Sequence, residues 1–304
     1  MKYIINGVSY YVEVHGKAYS ETCTEIHPEA HQKPDSEAHG ERQALLLLHG
    51  FSGNHGQWAP FIDSWSAEHQ LVIVDLLGHG ESDAPIAYTR YSSEQTVNDL
   101  VELLDQLHIE SAIVLGYSMG GRIALSMAQL APSKVSGLIL ESTSPGLATL
   151  EERQARIASD EALATKLEQL GIDWFADYWA ELPLFASLKM LPLVEREAID
   201  QQRRSNTPLG LANSLRGIGT GAQPSWWEQL DNITGPTLFI VGEADTKFRA
   251  IAEQMMLRMS NSEGQLEIVS EAGHNVHMEQ PYKFDTIVKR YLNYERMFKI
   301  EQPL

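Results

Sequence analysis

Residues 116–120 read Gly116-Tyr117-Ser118-Met119-Gly120, with Gly121 next, between a short apolar run and a helical pattern. A serine between glycines at a strand-to-helix turn is held at the apex of a strained backbone, where its hydroxyl projects and the helix N-terminus favours negative charge. A serine hydroxyl is a weak nucleophile and a weak base until a histidine takes its proton and a carboxylate orients that histidine. Two downstream loops supply those types: Gly242-Glu243-Ala244-Asp245 and Glu271-Ala272-Gly273-His274. Ser118, Asp245 and His274 are therefore the expected catalytic set. Glu141, at the end of another apolar run, is the rival for the acid. His277, three residues past His274, reads as packing or a helix start; His49, His55 and His79 read as loop or turn residues. An oxyanion hole needs two backbone N–H groups aimed at one point. Met119 supplies one, and Phe51, in the loop His49-Gly50-Phe51-Ser52-Gly53, is expected to supply the other.

The elements that must position these groups follow from periodicity. Residues 2–5 and 8–14 are strand-like and joined by Asn6-Gly7, a hairpin turn. Residues 44–48, 71–74, 112–115, 137–140, 237–241 and 266–269 are short apolar strands. Helical spacing occupies 94–107, with Ser93 as the expected N-cap, and 119–130, 248–259 and 281–297. Strands buried on both faces and separated by helices imply an α/β fold with a mostly parallel sheet covered on each side. From about 144 to 224 the alternation stops, and helical stretches at 150–170, 172–178, 193–204 and 209–215 read as an insertion over the sheet. The expected organisation is a core in two parts, 1–143 and 225–304, with a helical cap insertion at 144–224. Residues 17–43 are polar and acidic and read as a long exposed loop. His15, His27, His31 and His39 are too irregularly spaced there to suggest a metal site.

The chain of 304 residues carries 41 acidic and 23 basic side chains, a net charge of −18. That balance argues against nucleic acid or an anionic membrane as partner, since both need a cationic face. The lone cysteine, Cys23, excludes an internal disulfide framework and fits a reducing cytoplasm. The start, MKYIINGVSYYVEV, has no apolar stretch of signal-peptide length, and no apolar run approaches the roughly 20 residues that span a bilayer. No P-loop and no GxGxxG after a strand suggests a nucleotide, and the chemistry needs neither metal nor organic cofactor. Nothing in the sequence specifies an oligomeric state.

The HGF run after the first buried strand, the D-x-x-G-H-G-x-S turn at 75–82, GYSMGG, the GEAD loop and AGHNVH together resemble the α/β-hydrolase superfamily, from Ala44 onward. GYSMGGR, ESTSPGL, RQARIASDEALA, LPLFASL, QQRRSN and LRGIGTGAQPS narrow the resemblance to the 2-succinyl-6-hydroxy-2,4-cyclohexadiene-1-carboxylate synthase family of menaquinone biosynthesis. Its members eliminate pyruvate from 2-succinyl-5-enolpyruvyl-6-hydroxy-3-cyclohexene-1-carboxylate. The resemblance implies that Arg122, Arg156 and Arg204 bind substrate carboxylates and that Tyr117 and Trp179 line the pocket. Arg122 lies four residues, one helical turn, after Ser118, while Arg156 and Arg204 lie in the insertion. Three guanidiniums suit a small anionic tricarboxylate substrate, which a protein of this net charge otherwise repels. The competing readings are a serine hydrolase of an ester or carbon–carbon bond, and a ligand-binding protein without catalysis.

Overall fold

The computed structural model describes residues 1–16 and 42–301, with 295–301 described by backbone only. Most of the expected 17–43 loop, with Cys23, His27, His31 and His39, lies outside the described residues. The sheet has eight strands: β1 (Lys2–Ile5), β2 (Val8–His15), β3 (Ala44–Leu48), β4 (Gln70–Val74), β5 (Ala112–Tyr117), β6 (Val135–Glu141), β7 (Thr237–Gly242) and β8 (Gly264–Val269). Their order is β1-β2-β4-β3-β5-β6-β7-β8, in which β1 and β2 pair antiparallel and β3 to β8 are parallel. The Asn6-Gly7 hairpin has positive φ at both residues, 48° and 83°, as a tight two-residue turn requires. His15 pairs with Leu71 and Ala44 with Gln70, so β2 ends and β3 begins at the amino end of the parallel strands.

Side chains alternate along each strand between two cores. Leu46, Leu48, Val72, Val74, Val114 and Leu140 face one layer with residues of α2 (Ser93–Gln106), α3 (Met119–Leu130) and α7 (Thr246–Arg258). Leu45, Leu47, Ile73, Ile113, Leu115 and Ile139 face the other, closed by Trp58, by Trp65 of α1 (Ile62–Ser66) and by Phe284 and Val288 of α9 (Pro281–Glu301). This is why β3 and β5, buried at every position, read as unbroken apolar runs. Ser92 rather than Ser93 caps α2, its Oγ accepting the Gln95 N–H. A short helix α8 (Val276–Glu279) precedes α9.

Between β6 and β7 lie α4 (Leu150–Ala180), α5 (Leu193–Arg204) and α6 (Pro208–Ile218). Where the sequence suggests two helices, α4 runs on through Gly171, whose φ of 84° breaks the regular backbone between them. Thr149 and Glu152 form a reciprocal capping box at its start. Ala164, Leu167 and Phe175 of α4 pack on Leu211, Ala212 and Leu215 of α6, and Phe51 of the β3 loop joins this small core. Among the described residues no helix is long and apolar enough to cross a membrane.

Candidate active site

Strand β5 delivers Ser118 into a backbone conformation of φ 50°, ψ −103°, a left-handed position that costs energy for any side chain. Glycine holds it there. A Cβ at Gly116 would stand 2.3 Å from the Gly120 carbonyl carbon, and one at Gly120 would stand 2.1 Å from the Leu48 carbonyl oxygen. The Ser118 N–H donates to the Glu141 carbonyl at 2.8 Å, and Thr143 Oγ1 donates to the Ser118 carbonyl at 2.7 Å. The turn is thus tied to the carboxyl end of β6.

The loops after β7 and β8 bring the two partners. His274 Nε2 lies 3.1 Å from Ser118 Oγ, and its Nδ1 lies 2.7 Å from Asp245 Oδ2. Asp245 caps α7, its Oδ1 accepting the Phe248 N–H at 3.4 Å, which fixes the carboxylate while its other oxygen faces the imidazole. His274 and Asp245 are both buried. With Nδ1–H donated to the carboxylate, Nε2 is free to accept the serine proton. The rival acid, Glu141, is fully buried and accepts from the backbone N–H and Nδ1 of His277 at 3.0 and 2.9 Å, so it serves the other histidine. Tyr117 lies between the two pairs, its ring centroid 5.5 Å from that of His274 and 4.8 Å from that of His277. Burial, reinforced by the Glu141 charge, pushes its phenol well above the ordinary value.

Met119 is the first residue of α3, where an N–H has no intrahelical acceptor. Phe51 follows β3 in the opposite wall. Neither N–H donates to a protein acceptor among the described residues, and both residues line the cleft with Ser118. The other loop histidines have structural partners. His49 donates through Nδ1 to the Gly50 carbonyl and accepts the Leu76 N–H on Nε2, a neutral tautomer that burial favours. Burial likewise holds His79 down to about 3. His55 bonds to Asp75, which also accepts the Glu81 N–H and so closes the 75–82 turn.

The cleft has a volume of about 420 Å³, and its lining beyond Ser118 includes Arg122, Arg156, Trp179, Phe185 and Lys247. Arg122 donates to the Ile218 carbonyl at 2.8 Å and to Gln223 Oε1; burial and the like charge of Arg156 lower it to about 9. Arg156 bonds to Asp160 at 2.7 Å while lining the cleft. Trp179 packs its ring against those of Phe51 and Phe175, each at 5.2 Å. Arg204 departs from expectation. Its guanidinium faces away from the cleft and is held by Asp173 at 3.0 Å, Asp200 at 2.7 Å and Asp177. One step along a helix turns a side chain by about 100°, and that step places Arg203 inward instead. Arg203 is buried, its guanidinium carbon 5.4 Å over the Phe185 ring, in a small compartment that shares Phe51, Tyr117, Trp179 and Phe185 with the cleft. Burial lowers its pKa, and no carboxylate of the described residues pairs with it. Arg203 and Lys247 are the cations that reading the sequence missed. The signal for Lys247 was its place two residues beyond Asp245, at the start of α7.

A serine at a strained strand-to-helix turn, with histidine and acid on successive later loops of a parallel sheet, defines the class of the protein. The alpha/beta hydrolase fold family matches residues 43–281. Within that class, a Bacillus subtilis (strain 168) protein provisionally named 2-succinyl-6-hydroxy-2,4-cyclohexadiene-1-carboxylate synthase is 45% identical over 250 residues, which cover 82% of this chain and 90% of the relative. The enzyme of that name from Klebsiella pneumoniae subsp. pneumoniae is 35% identical over 78% of this chain and 88% of its own. The structure of MenH from S. aureus superposes with a TM-score of 0.82 at 34% identity, covering 94% of this chain and 98% of that one. The chain belongs to the 2-succinyl-6-hydroxy-2,4-cyclohexadiene-1-carboxylate synthase family of α/β-hydrolase-fold proteins.

Proposed function

We propose that the protein is a lyase that eliminates pyruvate from 2-succinyl-5-enolpyruvyl-6-hydroxy-3-cyclohexene-1-carboxylate, leaving 2-succinyl-6-hydroxy-2,4-cyclohexadiene-1-carboxylate. Ser118, His274 and Asp245 act as one proton relay. His274 takes the Ser118 proton, and the alkoxide removes the ring proton at C2, beside the succinyl carbonyl. The C2–H electron pair forms C2=C3, the C3=C4 pair moves to C4=C5, and the C5–O bond breaks. The departing enolate of pyruvate takes the proton held on His274, which returns serine and histidine to their starting states. Negative charge that builds on the succinyl carbonyl oxygen falls to the N–H groups of Phe51 and Met119. No covalent intermediate forms.

The observation that carries this reading is the cationic lining directly above an intact serine–histidine–aspartate line. Arg122, Arg156 and Lys247 border the cleft, and Arg203 borders the compartment beside it. Three of these suffice for the three carboxylates of the substrate, with Arg203 taking the place that resemblance gave to Arg204. Residues 144–224 serve as the cap that closes the roof. An ester-cleaving hydrolase has no need of such a lining.

The test is to supply the enolpyruvyl cyclohexene substrate and follow diene absorbance together with pyruvate. Ser118→Ala is expected to lose about three orders of magnitude or more in kcat with the fold intact. Stoichiometric release of an activated aryl ester's alcohol in a burst, with no diene formed, rejects the lyase in favour of the hydrolase.

A further inference from the structure

On the far side of Arg203 from the cleft lies a second chamber of about 320 Å³, bounded by α5, by the end of α4 and by the 3-10 turn Pro183–Met190. Its lining includes Phe185, Leu188, Lys189, Arg196, Ile199 and Arg203. Three walls connect it to the chemistry. Phe185 borders the cleft, the small compartment and this chamber, whereas Ile199 and Arg203 border the last two. The intervening compartment holds only about 20 Å³, a constriction rather than a room.

The charges in the chamber are unevenly satisfied. Glu181 and Asp200 also reach its wall, but Lys189 bonds to Glu181 at 2.6 Å and Arg204 bonds to Asp200 at 2.7 Å. Arg196 and the buried Arg203 meet no carboxylate among the described residues. Two unpaired guanidiniums facing one chamber, in a chain of net charge −18, are a place for a small anion. At about 20 Å³ the constriction has room for little more than a water molecule, so a substituted cyclohexene is excluded and a three-carbon acid passes only as the side chains of Ile199 and Arg203 swing aside.

We infer that this chamber is a binding site for a small monocarboxylate and the route by which pyruvate leaves, passing Arg203 and pausing on Arg196. Naming pyruvate rests on the elimination reading; the presence of a carboxylate site does not. Such a route lets the small product depart while the diene still fills the cleft.

The probe is sodium pyruvate titrated calorimetrically into the full-length protein without substrate. Arg196 is exposed on α5 and its replacement leaves the packing intact. Arg196→Gln is expected to weaken pyruvate binding about fivefold or more. A smaller change overturns the site, and weakening by Arg156→Gln alone puts the anion in the catalytic cleft instead. Ile199→Trp, which fills the constriction, is expected to give a burst of diene equal to the enzyme concentration followed by a slower steady rate. A linear progress curve at the wild-type rate overturns the exit route. Absence of turnover in the wild type counts against the elimination reading alone, because the titration decides the carboxylate site by itself.

Discussion

Exchanging the two adjacent arginines of α5 for alanine, one at a time, separates a substrate contact from a surface ion-pair cluster. Arg203 is 8% exposed and forms no ion pair with a carboxylate among the described residues, Asp200 acting on it only at longer range. Removing one partner from a buried, charge-assisted pair costs about 2–5 kcal/mol. At about 3 kcal/mol, Arg203→Ala lowers kcat/KM by roughly 150-fold. Arg204 instead meets three carboxylates, two of which are exposed, Asp173 by 81% and Asp177 by 72%. Exposed pairs contribute about 0–1 kcal/mol each after solvent screening, so Arg204→Ala lowers stability by about 1–2 kcal/mol in total. Its kcat/KM stays within about threefold of wild type, because the guanidinium it lacks never reaches the cleft. The assay is pyruvate release coupled to lactate dehydrogenase, run beside a urea melt of each variant. A hundredfold loss for Arg204→Ala with near-normal turnover for Arg203→Ala refutes the reasoning and restores the assignment made from resemblance.

Other perturbations test the remaining steps. Asp245→Asn keeps the shape but offers an amide to His274 Nδ1, so the wrong tautomer faces Ser118; kcat is expected to fall by about three to four orders of magnitude with little change in melting temperature. Gly120→Ala forces its new methyl against the Leu48 carbonyl, so α3 must back away; a stability loss of about 3 kcal/mol is expected by chemical denaturation, and turnover falls as the Met119 N–H moves. For His55, the hydrogen bond to Asp75 raises the pKa above 6.5, so its contribution is complete below that value and fades as pH rises through the higher folded-state value. Burial pushes Asp75 up most strongly, yet the His55 bond, the His49 charge and the backbone N–H bonds of Glu81 and His55 together outweigh it and leave the carboxyl below 3.8, so its contribution is lost only as pH falls through that lower value. The melting-temperature gap between wild type and His55→Asn should therefore be widest between pH 4 and 6.5 and narrow by about pH 9; a flat gap removes the ion pair from the account.

The sheet and the Ser118, His274 and Asp245 geometry were legible in the sequence because each rests on a strong local signal. Apolar runs such as Ala44–Leu48 and Ala112–Tyr117 admit no amphipathic helix, and the glycines around Ser118 are demanded by backbone contacts near 2 Å. The choice between Arg203 and Arg204 was not legible. Their helix reads LVEREAIDQQRR, polar nearly all round, so no apolar stripe says which arginine turns inward. Phe185 on one side and Asp173 and Asp177 on the other, all distant in sequence, settle the rotation together with Asp200 one turn back on the same helix. Asp245 over Glu141 was legible from its place in the loop after β7, but the pairing of Glu141 with His277 was not; each carboxylate meets the histidine that the last loop brings to it.

The hairpin strand and the first parallel strand have their open ends beside one another at the pole of the sheet opposite the catalytic cleft. His15 pairs with Leu71 and Ala44 with Gln70, so the connection has its two described ends at the amino ends of the parallel strands, away from Ser118. Its length can change at little entropic cost to closure, because that cost grows only with the logarithm of residue number. The same point therefore offers a graft site: a reporter or tether spliced between residues 17 and 41 would anchor the enzyme to a surface with its mouth facing outward.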